Sequence, residues 1–146
     1  KKALEQMGAR WELAILDTPP QLGTLLVNAL TASSEVIIPV QADTFAVQAI
    51  YQLMDTINQV QQYCNRALSV AGVLLTRYSG RTVLSRDLRD DLQEKCAALG
   101  LTLFSPISEG IAVKEAQTAQ QSLFTYQPKS KPAIEYGKFA AELLRR

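Results

Sequence analysis

Asp17 is the first side chain in this sequence whose position suggests chemistry. It follows the apolar run Leu13-Ala-Ile-Leu16 and precedes Thr18-Pro-Pro-Gln-Leu-Gly23. The run Trp11–Leu16 suits a strand buried on both faces, and two prolines end it in a loop. An acidic residue at the carboxyl end of a buried parallel strand points into the crevice where α/β sheets bind ligands. A carboxylate there can hold Mg²⁺ through a water, because Mg²⁺ prefers oxygen ligands and keeps much of its hydration. Taken alone the pattern is weak, since any strand can end in Asp for the sake of its turn. Other chemistries are excluded. The sequence has no His, which removes His-based catalysis and His-ligated metal. Its Ser and Thr residues therefore lack a His base, and no Ser-Lys arrangement replaces it. Cys64 and Cys96 lie far apart outside any CxxC pattern, so neither a zinc site nor a disulfide framework is expected. Both are expected reduced, in buried helical faces.

The elements that must position Asp17 alternate in type. The 146 residues are 47% hydrophobic and 20% charged, which suits one globular domain and excludes disorder. No long uncharged apolar run suggests a membrane span. Lys1–Met7 reads as the last turns of a helix stopped by Gly8, so the sequence is expected to continue something longer. Residues 24–31 read as helix and Glu35–Val40 as a second buried strand. Thr44 reads as the N-cap of a long helix to about Cys64. Within it Val47, Ile50, Leu53, Met54, Ile57 and Val60 keep helical spacing. Leu68–Leu75 is a third strand, and Thr76–Arg81 a turn. A charged helix follows from Thr82 to about Leu99, closed by Gly100. Leu101–Phe104 reads as a short fourth strand, residues 110–121 as helix and Leu123–Tyr126 as extended. A last helix carries Pro132 near its first turn. This alternation predicts an α/β fold with a mainly parallel sheet flanked by helices.

The match does not stop at Asp17. Asp17-Thr-Pro-Pro-Gln-Leu-Gly23, Asn28-Ala-Leu-Thr-Ala32 and Glu35-Val-Ile-Ile-Pro-Val-Gln41 resemble, in order and spacing, the ParA/Soj partition ATPases, a deviant Walker A group related to MinD. Gly72-Val-Leu-Leu-Thr-Arg-Tyr78, Arg81-Thr82, Glu115-Ala116 and Tyr126-Gln-Pro-Lys-Ser-Lys131 extend the resemblance to the last helix. It implies a P-loop NTPase-like fold in which Asp17 is the Walker B aspartate, holding Mg²⁺ through water. Thr18, Pro19 and Pro20 would belong to the switch II loop, which senses the γ-phosphate. Thr76, Arg77 and Tyr78, with Pro106 and Ser108, would lie in the two loops on the adenine side. The resemblance also implies ATP and Mg²⁺ as cofactors of the full-length protein, a homodimer formed across the nucleotide, and non-specific DNA binding. A ParB-type centromere-binding partner and a bacterial cytoplasmic, nucleoid-associated location follow from it as well.

The departures limit what this stretch does by itself. Nothing in it resembles the Lys-Gly-Gly-x-Gly-Lys-Thr loop that cradles phosphates, nor the Asp-containing switch I segment. Phosphoryl transfer rests on positioned donors and cations. The chain alone is therefore expected neither to turn over ATP nor to bind it tightly. All 146 residues read as a single partial domain, the C-terminal portion of a ParA-type ATPase. Family members often carry an Arg where this chain has Ser108. The missing Walker A strand would lie beside the strand ending at Asp17, leaving its neighbours unpaired. The sheet is then expected to close differently, to pair with another copy, or to belong to a longer protein.

Net charge is +1, unevenly spread. Residues 11–65 hold five acidic side chains and no basic one, whereas residues 66–146 hold twelve basic and eight acidic. Under the resemblance Arg86, Arg89, Lys114, Lys129 and Lys131 are candidates for DNA phosphates. The plainer account of Arg86, Arg89 and Lys95 is a solvated helix face paired with its own acids. Tyr136, Phe139, Ala140, Leu143 and Leu144 line one face of the last helix. With Arg145 and Arg146 that face would suit a membrane surface, as in MinD-type relatives, but packing on the sheet is the stronger reading. Two alternatives to the partition ATPase therefore stand: a non-catalytic, truncated interaction module, and a MinD-like membrane-associated ATPase.

Overall fold

The computed structural model describes residues 2–7, 11–43 and 45–145. The Gly8 stop, the Thr44 cap and Arg146 lie outside them. The elements, in order, are α1 (Lys2–Met7), α2 (Thr24–Ala32), β1 (Glu35–Gln41), α3 (Ala46–Tyr63), β2 (Ser69–Thr76), α4 (Val83–Ala98), α5 (Ile111–Thr118), α6 (Leu123–Tyr126) and α7 (Lys131–Leu143). They fall into two compact units, Lys1–Val36 with Gln48–Val70, and Ile37–Val47 with Ala71–Arg146.

In the first unit, helical spacing places Leu26 and Leu30 of α2 and Ile50, Ile57 and Val60 of α3 out of solvent. Turn chemistry closes the connections. The Asn65 amide donates to the carbonyls of Leu30 (3.0 Å) and Ser33 (2.7 Å), satisfying the end of α2. Gln61 donates to Leu68 O at 2.7 Å. The expected strand Trp11–Leu16 is a correction. It is irregular, with Trp11 65%, Leu13 61% and Ile15 84% exposed. A strand persists only where a neighbour satisfies its N–H and C=O groups, and among the described residues none does so for this run. Cys64, just beyond α3, is exposed rather than buried.

In the second unit β2 is buried from Ala71 to Leu75, the pattern of a strand covered on both faces. β1 and β2 run parallel, with Ser69 N–H donating to Ser34 O at 3.0 Å and the Thr76 hydroxyl to Val40 O at 3.0 Å. β1 is less buried than expected, with Ile38 its one fully buried residue. On the far side of β2 the fourth strand is reduced to two isolated parallel bridges, Val73–Leu103 and Tyr78–Ser108. Phe104 N–H bonds Val73 O (2.9 Å), and the next β2 acceptor, Leu75 O, is taken by Ile107 (2.8 Å). Two residues of β2 thus oppose three of the partner. Pro106 stands where the regular ladder needs an N–H, so the register slips by one residue there.

Gly72 makes this pairing possible. Its φ is +151°, and a Cβ at that position would lie 2.5 Å from Thr102 O and 2.7 Å from Phe104 Cε2. Ala71, Leu74, Phe104 and Ile107 form a core covered by Ile37 and by Tyr136, Phe139 and Leu143 of α7. Phe104 meets Phe139 edge-on, with centroids 5.0 Å apart. The last helix therefore spends its apolar stripe on its own unit. Ala140 and Leu144, expected on that stripe, do not join this core, and Leu144 is exposed. Leu123–Tyr126 is a single helical turn rather than extended, because the Ser122 hydroxyl caps it by accepting from Phe124 N–H. Thr82 caps α4 in the same way, accepting from Ser85 N–H at 3.2 Å, and Gly100, at φ +68°, closes it.

Candidate functional site

Two loops at the carboxyl ends of the second unit's parallel segments come together, and they are the two expected on the adenine side. Tyr78 N–H donates to Ile107 O and Glu109 N–H to Tyr78 O, each at 3.0 Å. Arg77, just before Tyr78, adopts a left-handed backbone, φ 52°, which non-glycine residues adopt at a cost. Its guanidinium reaches Gln41 Oε1 at the end of β1 (3.2 Å) and Glu109 Oε1 (3.5 Å). Lys114 Nζ approaches the same Glu109 oxygen at 3.8 Å. One carboxylate is thus shared by two cations at the rim of a cavity of about 230 Å³. Ile107 and Val113 supply apolar lining, and Ser108, Gln117 and Tyr136 supply polar atoms. An apolar lining with a few convergent polar groups is the usual make-up of a small-molecule pocket.

One contact at this cavity has no counterpart in the sequence reading. Ser108 donates twice to Glu135 of α7, its N–H to Oε2 at 2.6 Å and its hydroxyl to Oε1 at 2.9 Å. The Glu135 side chain is only 22% exposed, and Lys131 Nζ lies 3.7 Å from Oε1. The available signal was an acid immediately beside Tyr136 and four residues before Phe139, on the buried side of an amphipathic helix.

Asp17 belongs to the first unit. It is exposed, as are Pro19 and Pro20, while Thr18 is half-buried. Its carboxylate suits a hard cation as an oxygen donor, but it offers one ligand only. No cluster of three or more His, Cys, Asp or Glu that could hold a metal ion occurs among the described residues. Of the basic candidates, Arg86 donates to Gly80 O at 2.8 Å, fastening the turn before α4. Arg89 pairs with Asp90 at 3.8 Å and Lys95 with Asp91 at 3.9 Å, the self-paired helix face described above. Lys114 and Lys131 are the partners of Glu109 and Glu135, and Lys129 is exposed. Burial raises the Cys96 thiol above its ordinary pKa of 9.0.

A family profile described as an AAA domain matches residues 1–70. The sporulation initiation inhibitor protein Soj of Bacillus subtilis is 34% identical over 143 residues, which cover 98% of this chain and 56% of that protein. The chromosome-partitioning ATPase Soj of Thermus thermophilus is 32% identical over 147 residues, covering 100% of this chain and 57% of that protein. Among solved structures, cobyrinic acid a,c-diamide synthase from Mycobacterium smegmatis, with bound ADP and magnesium, aligns at a TM-score of 0.78. It is 36% identical, over 99% of this chain and 51% of its own. The architecture is thus the α/β fold of the P-loop ATPases. Along its whole length the chain is similar to the Soj/ParA chromosome-partitioning ATPases. It spans about half the length of these relatives.

Proposed function

We propose that these residues form the C-terminal portion of a Soj/ParA-type partition ATPase, whose phosphate-cradling loop lies in the preceding part of the full-length protein. The observation that carries the reading is similarity to chromosome-partitioning ATPases over the whole chain. The joining of the loops Thr76–Tyr78 and Pro106–Ser108 supports the adenine-side assignment, with Arg77, Ile107 and Ser108 of these segments lining the cavity of about 230 Å³ and Thr76, Tyr78 and Pro106 outside its lining. Asp17 would hold Mg²⁺ through water, and Thr18, Pro19 and Pro20 would report the nucleotide state. Bound Mg²⁺ would neutralise charge on the transferred phosphoryl group. The full-length protein then dimerises across the nucleotide, binds DNA without sequence preference and answers to a ParB-type partner. Of the five basic candidates Lys129 is the one for a phosphate to meet first, since Arg86, Arg89, Lys114 and Lys131 have partners among the described residues. Tyr136, Phe139 and Leu143 lie against the unit's own core, which favours the partition reading over a membrane-lying helix.

The test begins with the coding sequence upstream of Lys1, where a glycine-rich loop with two lysines is expected. The full-length protein should hydrolyse ATP, and Asp17→Asn should abolish turnover while leaving ATP binding largely intact. DNA retention across a salt series should decline linearly on log–log axes, with a slope of about −0.9 per phosphate contact. A reading frame opening near Lys1, or a full-length protein that never hydrolyses ATP, sinks the proposal.

A further inference from the structure

The geometry points to Glu135 as the positioning residue of the nucleotide-side wall, a role that rests on the adenine-side reading of the two loops. Because Pro106 interrupts the ladder, the segment after it pairs one residue out of register, through Ile107 N–H to Leu75 O and the two bonds with Tyr78. Ser108 sits at the far end of that slip. Its backbone N–H and its hydroxyl are both taken by one carboxylate from α7 (2.6 and 2.9 Å). Two hydrogen bonds to a charged acceptor, mostly shielded from water, are among the stronger polar contacts available to a loop. The next residue on the helix, Tyr136, lines the cavity and packs on the Ala71–Phe104 core. Consecutive residues of α7 therefore perform separable tasks: Glu135 fixes where Ile107–Glu109 lie, and Tyr136 closes the wall against the core. Through Tyr78 N–H to Ile107 O and Glu109 N–H to Tyr78 O, that position passes to the first loop as well. Glu135 holds the wall from behind and is not among the residues that line the cavity, so its effect is on how often the pocket is correctly formed.

The experiment uses the full-length protein, with MgATP and magnesium tripolyphosphate as probes, the second carrying the phosphates without the base. Binding constants are measured by calorimetry for the wild type, E135A and E135Q. If E135A leaves the wall correctly placed about a tenth of the time, its apparent ATP affinity drops about tenfold. Tripolyphosphate affinity should stay within about twofold, which a general loss of stability would not allow. The amide introduced by E135Q would accept from the Ser108 N–H through its oxygen and donate to Ser108 Oγ through its nitrogen, so this variant should recover most of the loss. As a readout independent of nucleotide, hydrogen exchange on the present chain should quicken over 105–110 in E135A, with β2 unchanged. An E135A protein that binds ATP like the wild type, loses both probes equally, or exchanges no faster over 105–110 overturns the assignment. A wild type that binds ATP no better than tripolyphosphate overturns the adenine-side reading itself, and this role with it.

Discussion

Gly72→Ala should be among the most damaging single-methyl additions this chain can receive. The added Cβ would sit 2.5 Å from a backbone oxygen, Thr102 O, and 2.7 Å from Phe104 Cε2. Neither contact can be relieved by turning a flexible side chain. At φ +151° an alanine also carries backbone strain of about 1–3 kcal/mol, and overpacking of a filled core adds about 1–3 kcal/mol. The combined loss, about 2–6 kcal/mol, is a large share of the roughly 5–15 kcal/mol that holds a domain folded. Relief by moving 102–104 away would break the 2.8 Å bond from Val73 N–H to Thr102 O and the 2.9 Å bond from Phe104 N–H to Val73 O. Urea unfolding followed by circular dichroism measures the loss, with Gly137→Ala as the matched control. Gly137 lies inside α7 with nothing within 4 Å of an added Cβ, so alanine there should stabilise by about 0.5–1 kcal/mol. A G72A protein within about 0.5 kcal/mol of wild type, the ordinary range of surface changes, would refute the close-approach argument.

The two thiols should separate in native labelling: Cys64 reacts with a maleimide at once, and Cys96 only as the protein unfolds, as peptide mass spectrometry would show. Because burial raises the Cys96 pKa, the folded state favours the neutral thiol. Its contribution to stability is complete below the ordinary thiol pKa and declines as pH climbs through the folded value, so urea midpoints should fall in alkali. The sign follows from the unfolded chain, which loses its thiol proton first and is favoured as pH rises. Cys96→Ala should flatten that decline, and an unchanged slope would count against it. Thr82→Ala removes the acceptor for Ser85 N–H and should cost about 1 kcal/mol of unfolding free energy. Trp11, 65% exposed, should be readily quenched by acrylamide in this chain and shielded in the full-length protein.

Local rules read well where the chain satisfies itself. The boundaries of α3, β2 and α4 follow from apolar spacing, a β-branched run and a Thr cap, all complete within a few neighbours. The run Trp11–Leu16 has the right composition for a buried strand, yet composition cannot supply the neighbour that a ladder requires. Leu101–Phe104 failed for a smaller reason. Its apolar residues do reach β2, but Pro106 lacks the N–H needed two residues on, and a slip of one residue breaks the ladder into two isolated bridges. Asp17 stands out as a candidate because a carboxylate after an apolar run and before two prolines is a sequence-local pattern. The Ser108–Glu135 contact spans 27 residues and joins a loop to a helix, which no local spacing encodes.

These two failures bear on each other. A regular fourth strand would have held the Ile107–Glu109 wall by backbone pairing alone, leaving α7 only an apolar stripe to contribute. The proline interrupts that pairing, which resumes out of register at Ile107, and the Glu135 carboxylate adds two hydrogen bonds to the resumed segment. Lys114 and Lys131 are engaged at the same place. Each stands beside a carboxylate, Glu109 or Glu135, that borders the slipped segment. Exposed pairs of this kind contribute little stability, so their value lies in where they hold the carboxylates. Neutralising Lys131 should therefore leave stability nearly unchanged in urea titrations. It should alter the Ser108 contact less than Glu135→Ala does, because the two hydrogen bonds, unlike the 3.7 Å ion pair, fix the loop directly.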